Sequence, residues 1–261
     1  MTRKLKVDRA IYLVDDNLRT YAFLKRNPHW SRLSPRQRQA NKLQLDGYTR
    51  IFRDGRRQVL HIRRRSESDL PTLPTLTTAR LVLRPFTLAD VPDVQRLAGD
   101  REIASTSLHI PNPYPDGVAE QWISTHKDRF VRDEAAVFAV TRADTGEVIG
   151  ANGLEIRRDH ARAEMGYWIG KAFWNQGYAT EAGREVLHFA FEDLQLERVF
   201  AEHFKRNPAS GRVMQKLGMT REGELRRHIK KWGVREDIVI YAILRSEFSH
   251  QDEGARSAST G

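Results

Sequence analysis

Gly166-Tyr167-Trp168-Ile169-Gly170-Lys171-Ala172-Phe173-Trp174-Asn175-Gln176-Gly177-Tyr178-Ala179-Thr180-Glu181-Ala182 passes from an apolar strand, through a short loop, into a glycine that opens a helix. The first amides of a helix have no intrahelical partner, and the helix dipole adds to their pull, so such a junction suits an anion. Gly177 lets a ligand approach the backbone where a Cβ would collide, and Tyr178 to Glu181 supply the next amides. Two familiar phosphate motifs do not fit. No Gly-Lys-Ser/Thr follows the glycine, and Gly177 to Gly183 lacks the Gly-x-Gly-x-x-Gly spacing of a dinucleotide fold. On the local pattern alone, a helix that merely begins with glycine is the commoner reading.

Working outward, Tyr178 to Leu194 reads as a long helix, with Ala182, Val186, Ala190 and Leu194 forming an i, i+4 stripe beside Leu187 and Phe191. Arg198 to Phe204 is a strand. Pro208 to Leu217 is a short helix stopped by Gly218, and Met219 to Lys231 and Arg235 to Leu244 are two strands that turn at Gly233. Before the opening stretch, strands are predicted over Ala135 to Arg142, Glu147 to Arg157 and Arg162 to Ile169, separated by turn-formers at Ala143-Asp144-Thr145-Gly146 and Asp159-His160. Gly117 to Val131 reads as a helix after an irregular loop containing Pro111, Pro113 and Pro115. Arg80 to Phe86 is a strand, and Thr87 caps a helix from Leu88 to Ala98, with Asp90 in the capping-box place. Strands gathered around two central helices give a mixed α/β sheet.

The N-terminal quarter differs in character. Residues 1–75 hold 18 Lys and Arg against 7 Asp and Glu, a charge of +11, whereas the remainder holds 26 against 27; the net +10 belongs to the N-terminal part alone. Ala10 to Val14 is a short apolar run, and Leu18 to Leu24 fits a helix. Ser34-Pro35 resembles an N-cap followed by a first-turn proline, which predicts a helix from Pro35 to Leu45. Tyr48 to Arg53 and Arg56 to Arg63 flank Asp54-Gly55, a dipeptide that two-residue hairpins favour. Arg50, Arg53, Arg56, Arg57 and Arg63 to Arg65, with Tyr48 and Phe52 between them, fit a phosphate-and-stacking surface for nucleic acid or the ribosome; a marginal basic appendage, ordered only against a partner or not at all, is the plainer reading. These features divide the chain into a basic extension (1–65), a proline-bearing linker (66–76), a domain (77–248) and a polar tail (249–261) expected to be disordered. The absence of cysteine excludes disulfides, zinc thiolates and a cysteine nucleophile. No run approaches the roughly 18 apolar residues of a membrane span, and Met1 to Lys6 leads into no apolar signal segment, so no membrane is expected and a cytoplasmic location is.

The order strand, helix, helix, three strands, glycine-opened helix, strand, short helix, two strands resembles the GNAT N-acetyltransferase fold, and more narrowly its RimJ/RimL-type, ribosomal-protein branch. The resemblance rests on Thr78 to Pro85, Glu164 to Ile169, Trp174 to Ala182, Asn207 to Ser210 with Lys216 to Met219, and Gly223 to Arg226 through Tyr241, five pieces in register over about residues 77–248. It implies an α/β (α+β) domain with a mixed, mostly antiparallel central sheet and helices on both faces, plus the small basic extension. It also implies acetyl transfer from acetyl-CoA to an amine. Gln176, Gly177, Tyr178, Ala179 and Thr180 fall on the family's pyrophosphate loop, Gln/Arg-x-x-Gly-x-Gly/Ala; Trp174 stands in the Gln/Arg place, which removes one side-chain contact and leaves the backbone cradle. Tyr167, Trp168, Ile169 and Gly170 match the strand that splays from its neighbour to pair with the pantetheine. Asn207 and Ser210 match the segment near pantetheine and thiol.

A protonated amine must lose a proton before attack, a free α-amine having a pKa of roughly 7.7–8.0. Glu164 matches the family's position for that base; the alternative is a solvated carboxylate. Relatives often carry a tyrosine in the short helix to protonate the thiolate, but Pro208 to Leu217 has none, which leaves Ser210 or an unaided thiolate. Tyr241 reads as core or cleft wall. No His-x-x-x-His or His-Glu-x-x-His spacing supports a metal; His188 and His203, like Trp122, Phe130, Trp168 and Phe173, read as structural. Trp232 with Arg226, Arg227, Lys230 and Lys231 borders an expected acceptor groove. Without cysteine, direct transfer is favoured over an acetyl-enzyme. The acceptor is a protein N-terminal α-amine by the branch resemblance, or a small amine such as a polyamine or antibiotic; a nucleic-acid or ribosome-binding protein built on the same scaffold is the rival from another class. A monomer or homodimer is expected.

Overall fold

A computed structural model of the chain describes residues 70–248 in full and, before them, the backbone of five strands. The chain divides into two compact units, Met1–Thr72 and Leu73–Gly261. In the first, β1 (Arg3–Val7), β2 (Ala10–Val14) and β3 (Thr20–Phe23) make an antiparallel three-stranded sheet. Within the stretch Leu18 to Leu24, expected as a helix, Thr20–Phe23 is a strand; Thr, Tyr and Phe favour extended backbone once a neighbouring edge offers pairing. β4 (Leu43–Ile51) and β5 (Arg57–Arg64) form the expected hairpin. Leu43 to Leu45 belong to β4 rather than to the end of a helix. The rest of that predicted helix, the Asp54-Gly55 turn, the arginine and aromatic side chains of the hairpin and the tail after Phe248 lie outside the described residues.

The second unit is organised by an eight-stranded sheet of β6 (Leu76–Thr77), β7 (Leu81–Pro85), β8 (Ala135–Arg142), β9 (Val148–Arg157), β10 (Arg162–Ile169), β11 (Arg198–Phe204), β12 (Thr220–Lys231) and β13 (Val234–Leu244). Their order is β12-β13-β11-β10-β9-β8-β7-β6, and every neighbouring pair is antiparallel except β10 and β11. That one parallel pair is short. Arg162 to Glu164 match Arg198 to Phe200, after which β10 stays with β9 as far as Ile169 and β11 stays with β13 as far as Phe204. The sheet thus opens into a wedge beyond Glu164. Leu76 and Thr77, read as linker and domain start, pair with Leu83 and Val82 as a short edge strand.

Helices cover both faces. On one, α5 (Tyr178–His188) and α6 (Pro208–Lys216) pack Ala182, Val186, Leu187, Met214 and Leu217 onto Ala163, Met165, Val199 and Ala201 of the sheet. On the other, α1 (Val91–Ala98) and α3 (Val118–Ser124) place Val94, Ala98, Ala119 and Ile123 against Ala139, Val148 and Ala151. Fully buried side chains such as Leu187 and Phe191 each stabilise the fold by about 1.5–3 kcal/mol relative to exposure.

Local chemistry explains where helices depart from their predicted spans. The N–H of Thr87 donates to the Asp90 carboxylate (2.8 Å), and the turn Leu88–Asp90 is 3-10 before α1 begins. A further helix, α2 (Arg101–Thr106), stands where a loop was expected; Asp100 caps it by accepting from the Glu102 N–H at 2.7 Å. The predicted helix from Gly117 to Val131 breaks at Thr125 into α3 and α4 (His126–Val131). The Ser124 and Thr125 hydroxyls donate to the Gln121 and Trp122 carbonyls at 2.8 Å, which competes with the helix ladder. α5 stops at His188, and a π turn continues from Phe189 to Asp193. Phe189, Ala190 and Phe191 in this wider turn are all buried in the core.

Candidate active site

Gly177 sits at φ +85° and caps α5, and the first i to i−4 bond of the helix runs from the Glu181 N–H to its carbonyl at 3.0 Å. The Tyr178 and Ala179 N–H groups precede that ladder and face outward from the helix start. The loop before them is anchored on several sides. Arg80 donates from its backbone N–H (2.9 Å) and Nε (2.7 Å) to the Glu181 carboxylate and from Nη1 to the Gln176 carbonyl (3.1 Å), while Thr78 Oγ1 reaches Glu181 at 2.6 Å. The Arg80 guanidinium also lies 4.6 Å from the centre of the Tyr178 ring. Burial alone would raise the Glu181 pKa, but the Thr78 and Arg80 bonds hold it below its ordinary value, so its charge is spent on the anchor and not turned against an anion. Trp174 has a use of its own: its indole N–H donates to the Ile169 carbonyl at 2.6 Å. Gln176 closes the loop by donating to the Ala172 carbonyl (3.1 Å). Alongside, a groove is lined by Thr78, Gly177 and Thr180 together with the cations Arg184 and Lys216.

The wedge is bordered by β10 on one side and by the start of α6 on the other. Gly170 donates its N–H to the Ile149 carbonyl of β9, so by strand alternation Trp168 also turns its peptide groups to β9, and Tyr167 and Ile169 turn theirs to the wedge. Of those, the Ile169 carbonyl is already taken by Trp174. The Tyr167 phenol crosses to α6, 2.9 Å from Ser210 Oγ and 3.0 Å from the Ser210 carbonyl. Asn207 caps α6 by accepting from the Ser210 N–H (3.4 Å). Burial raises the Tyr167 pKa to about 12 against the opposing effect of the Ser210 bond, so the phenol is a hydrogen-bond donor at neutral pH.

Glu164 occupies the crotch of the wedge, opposite Phe200 on β11 and Glu155 on β9. Glu164 is exposed, yet the atoms around it partly desolvate its carboxylate; this desolvation, then the charges of Glu202 and Glu155, raise its pKa above the ordinary glutamate value, with Arg157 opposing. Beyond it on the same face, Gly166 and Trp168 lead into a cavity of about 240 Å³ whose walls include Val94 and Ala98 of α1, Trp122 of α3, Tyr114 and the segment from Ser107 to Pro111. Glu155, which is bonded to Arg129, is the cavity's acidic edge. The segment 107–111 is held from the other side of the wedge: Lys231 Nζ donates to the Leu108 (3.2 Å) and Ile110 (2.9 Å) carbonyls, and Arg206 Nη2 donates to the Ser105 carbonyl (2.6 Å).

The structure therefore brings Tyr167, Asn207 and Ser210 together, places Gln176 to Thr180 at the helix start and puts Glu164 where the strands part. Trp168 faces the cavity with its ring and β9 with its backbone. The anchoring roles of Thr78 and Arg80, the phenol of Tyr167 and the brace from Lys231 were not anticipated. A threonine and arginine about a hundred residues before the helix they secure leave no local pattern to find, although both stand in one of the family-like pieces. Tyr241 and His203 are buried, with the Tyr241 hydroxyl accepting from Gln215 (3.1 Å).

A strand edge freed by a wedge, a helix start with unpaired amides and a glycine at that start make an elongated site with free backbone groups along it and an end suited to an anion. Residues 80–220 match the family model described as Acetyltransferase (GNAT) domain. The chain is 30% identical over 179 residues to Uncharacterized N-acetyltransferase p20 of Bacillus licheniformis, an alignment covering 68% of this chain and 99% of that protein. Its fold resembles spermidine N-acetyltransferase from Vibrio cholerae in complex with CoA and spermine (TM-score 0.58, 23% identity, 66% of this chain, 99% of that one). It also resembles RimL, a ribosomal alpha-N-protein acetyltransferase in complex with coenzyme A (TM-score 0.61, 17% identity, 66% and 98%). The chain belongs to the GNAT acetyltransferase family and is an acetyl-CoA-dependent acyltransferase. Among the described residues no helix is long and apolar enough to cross a membrane.

Proposed function

We propose that the enzyme transfers acetyl directly from acetyl-CoA to a primary amine, foremost the α-amine of a protein N-terminus. The observation that carries this is that one strand, β10, carries a carboxylate with a raised pKa at Glu164, a phenol bonded to Ser210 at Tyr167, and the Gly166 and Trp168 wall of an apolar cavity. The Tyr178 and Ala179 amides at Gly177 receive the pyrophosphate, and the wedge-facing peptide groups of Tyr167 and the N–H of Ile169 pair with the pantetheine. Glu164 takes the proton of the incoming ammonium, directly or through one water, and its raised pKa brings it nearer the pKa of the amine it must deprotonate. The amine nitrogen then bonds to the thioester carbonyl carbon and the C–S bond breaks. The nitrogen, now part of the adduct, releases its second proton as the amide forms; Ser210, its helix turn fixed by Asn207 and its hydroxyl held by Tyr167, passes a proton to the departing sulfur and is reprotonated by the one that the nitrogen releases.

The cavity favours one amine joined to one apolar group, such as a first residue and its side chain. A polyamine would present further ammonium groups to walls made by Val94, Ala98, Ile110 and Trp122, and the cavity's acidic edge, Glu155, is already bonded to Arg129. Mass spectrometry of peptides, polyamines and aminoglycosides incubated with enzyme and acetyl-CoA tests the reading. The expected product is a peptide bearing one acetyl group on its α-amine. Acetylated spermidine or aminoglycoside with unreacted peptides would replace it by the small-amine reading.

A further inference from the structure

Resting on the protein-acceptor reading, we propose that the β12–β13 hairpin is a docking surface for acidic residues downstream of the acceptor's N-terminal amine, so that the preferred substrate is an acidic peptide segment. Arg226, Arg227, Lys230 and Arg235 are exposed, and among the described residues none has a carboxylate within ion-pair distance. The hairpin's acids are already engaged: Glu222 by Arg198, Glu224 by Lys205, Glu236 by Arg206, and Asp237 by Lys205 at 3.9 Å. Four cations are left with nothing to balance them.

Their placement is built into the backbone. Between the pairs Leu225–Ile238 and Ile229–Glu236, β12 carries Arg226, Arg227 and His228 opposite the single residue Asp237. Arg227 sits at φ +51°, a conformation that costs a non-glycine residue, and its N–H donates to Asp237 Oδ1 at 2.7 Å, which holds the bulge in shape. At the tip, Trp232 and Val234 are exposed beside Leu108, and Lys231 joins them, 4.9 Å from the centre of the Trp232 ring while bonded to the Leu108 carbonyl. The hairpin is thereby seated against the very segment, 107–111, that walls the acceptor cavity. A chain leaving the cavity crosses an apolar sill and meets arginines and lysine.

The two poles of this surface select against other ligands. Glu164, Glu202 and Glu155, opposed by Arg157, leave acidic charge at the crotch of the wedge, which draws an ammonium, while the hairpin draws carboxylates and repels a polyamine. A ligand with an amine at one end and acids along the remainder satisfies both, and complementary fields of this kind raise association rates and discriminate partners. A nucleic acid satisfies only the hairpin.

The test uses the full chain with acetyl-CoA and three peptides that share their first two residues and differ downstream in carrying Asp/Glu, Asn/Gln or Lys. Initial rates and fluorescence-anisotropy titrations are read for each. The acidic peptide is expected to exceed the neutral one by about tenfold in kcat/KM at low salt, the product of several exposed charge pairs that are each weak, and the advantage should shrink as salt is added. Arg226→Glu with Lys230→Glu should reverse the order of acidic and basic peptides and leave the neutral one unchanged; an unaltered rate on the neutral peptide also shows that the variant is folded. Equal kcat/KM for all three peptides would overturn the proposal, as would charge reversal that spares peptide selectivity and abolishes binding to a single-stranded RNA. If no peptide is acetylated, the protein-acceptor reading fails; acidic-peptide affinity lost on charge reversal would then still uphold the surface, and equal affinities would end it.

Discussion

Tyr167 serves the wedge twice, with its backbone on the strand edge and its phenol on Ser210. Tyr167→Phe keeps the ring and removes the bridge. If Ser210 donates to sulfur only when so held, kcat should fall by about 10- to 100-fold, the range of a single positioned acid, while the KM for acetyl-CoA stays near its original value. A parallel rise in that KM with unchanged kcat would assign the phenol to binding instead. Glu164 allows a test with two readouts. Because its pKa is raised by partial desolvation and by Glu202 and Glu155, the folded protein holds a proton there that the unfolded chain would release. Its ionised form therefore costs stability, and the cost grows as pH rises from the ordinary glutamate pKa through the raised one. Glu164→Gln is expected to lower kcat/KM by about 100-fold and to raise the thermal midpoint at pH 8 slightly. It should also remove the acid limb that falls above the usual carboxylate range. A mutant with the same rate and pH profile would make Glu164 a solvated carboxylate and nothing more.

At the level of elements, the α3–α4 junction and the start of α5 show what a sequence can and cannot disclose. His126 opens α4 buried, with no hydrogen-bond partner on either ring nitrogen, 4.4 Å from the centre of the Trp122 ring that walls the cavity. Burial, helped by Arg129, lowers its pKa from 6.5 to about 4. The unfolded chain therefore binds more protons between those values. The stability due to keeping His126 neutral is fully present above about pH 6.5 and is lost as pH falls toward 4, to a total of about 3 kcal/mol. Urea melts at pH 7.5 and pH 5 should show His126→Leu losing less stability on acidification than the original chain; identical losses would locate the acid sensitivity elsewhere. The helix break before His126 was hidden because Ser and Thr side chains compete with a ladder whose apolar period runs through them. The start of α5 was legible only in company. A glycine before a helix is common, and what gives Gly177 meaning is a tie from Thr78 and Arg80 to Glu181 that crosses about a hundred residues. Gly177→Val must adopt φ +85° and place its Cβ 3.4 Å from Arg80 Nη2, so about 1–2 kcal/mol of stability should go along with acetyl-CoA affinity. Calorimetric titration that finds the affinity unchanged would remove this helix start from the cofactor site.

Across the whole molecule, the succession of strands and helices was readable from apolar-periodic pieces, whereas the parting of β10 from β11 was legible only through the family resemblance that those pieces carry. The wedge's chemical lining was less so, because Tyr167 and Ser210 meet through tertiary packing that no spacing encodes. The two units divide labour in charge as well as in contacts. Among the described residues, the two buried clusters draw on side chains from Leu73 to Phe248; residues 1–70 carry 18 Lys and Arg against 7 Asp and Glu. The acetyltransferase family model matches residues 80–220, so deletion of residues 1–70 is expected to leave the thermal midpoint within a few degrees and kcat/KM for acetyl-CoA and peptide within about twofold. The same deletion changes the formal charge from +10 to −1. Any affinity for mixed-sequence RNA that weakens steeply with salt should go with it, since such binding follows the number of cations offered to phosphates. A truncated chain that keeps its RNA affinity would move nucleic-acid contact to the β12–β13 hairpin and set it against the acidic-peptide proposal. A truncated chain that loses its acetylation rate while its melting midpoint holds would show instead that the basic unit presents the acceptor.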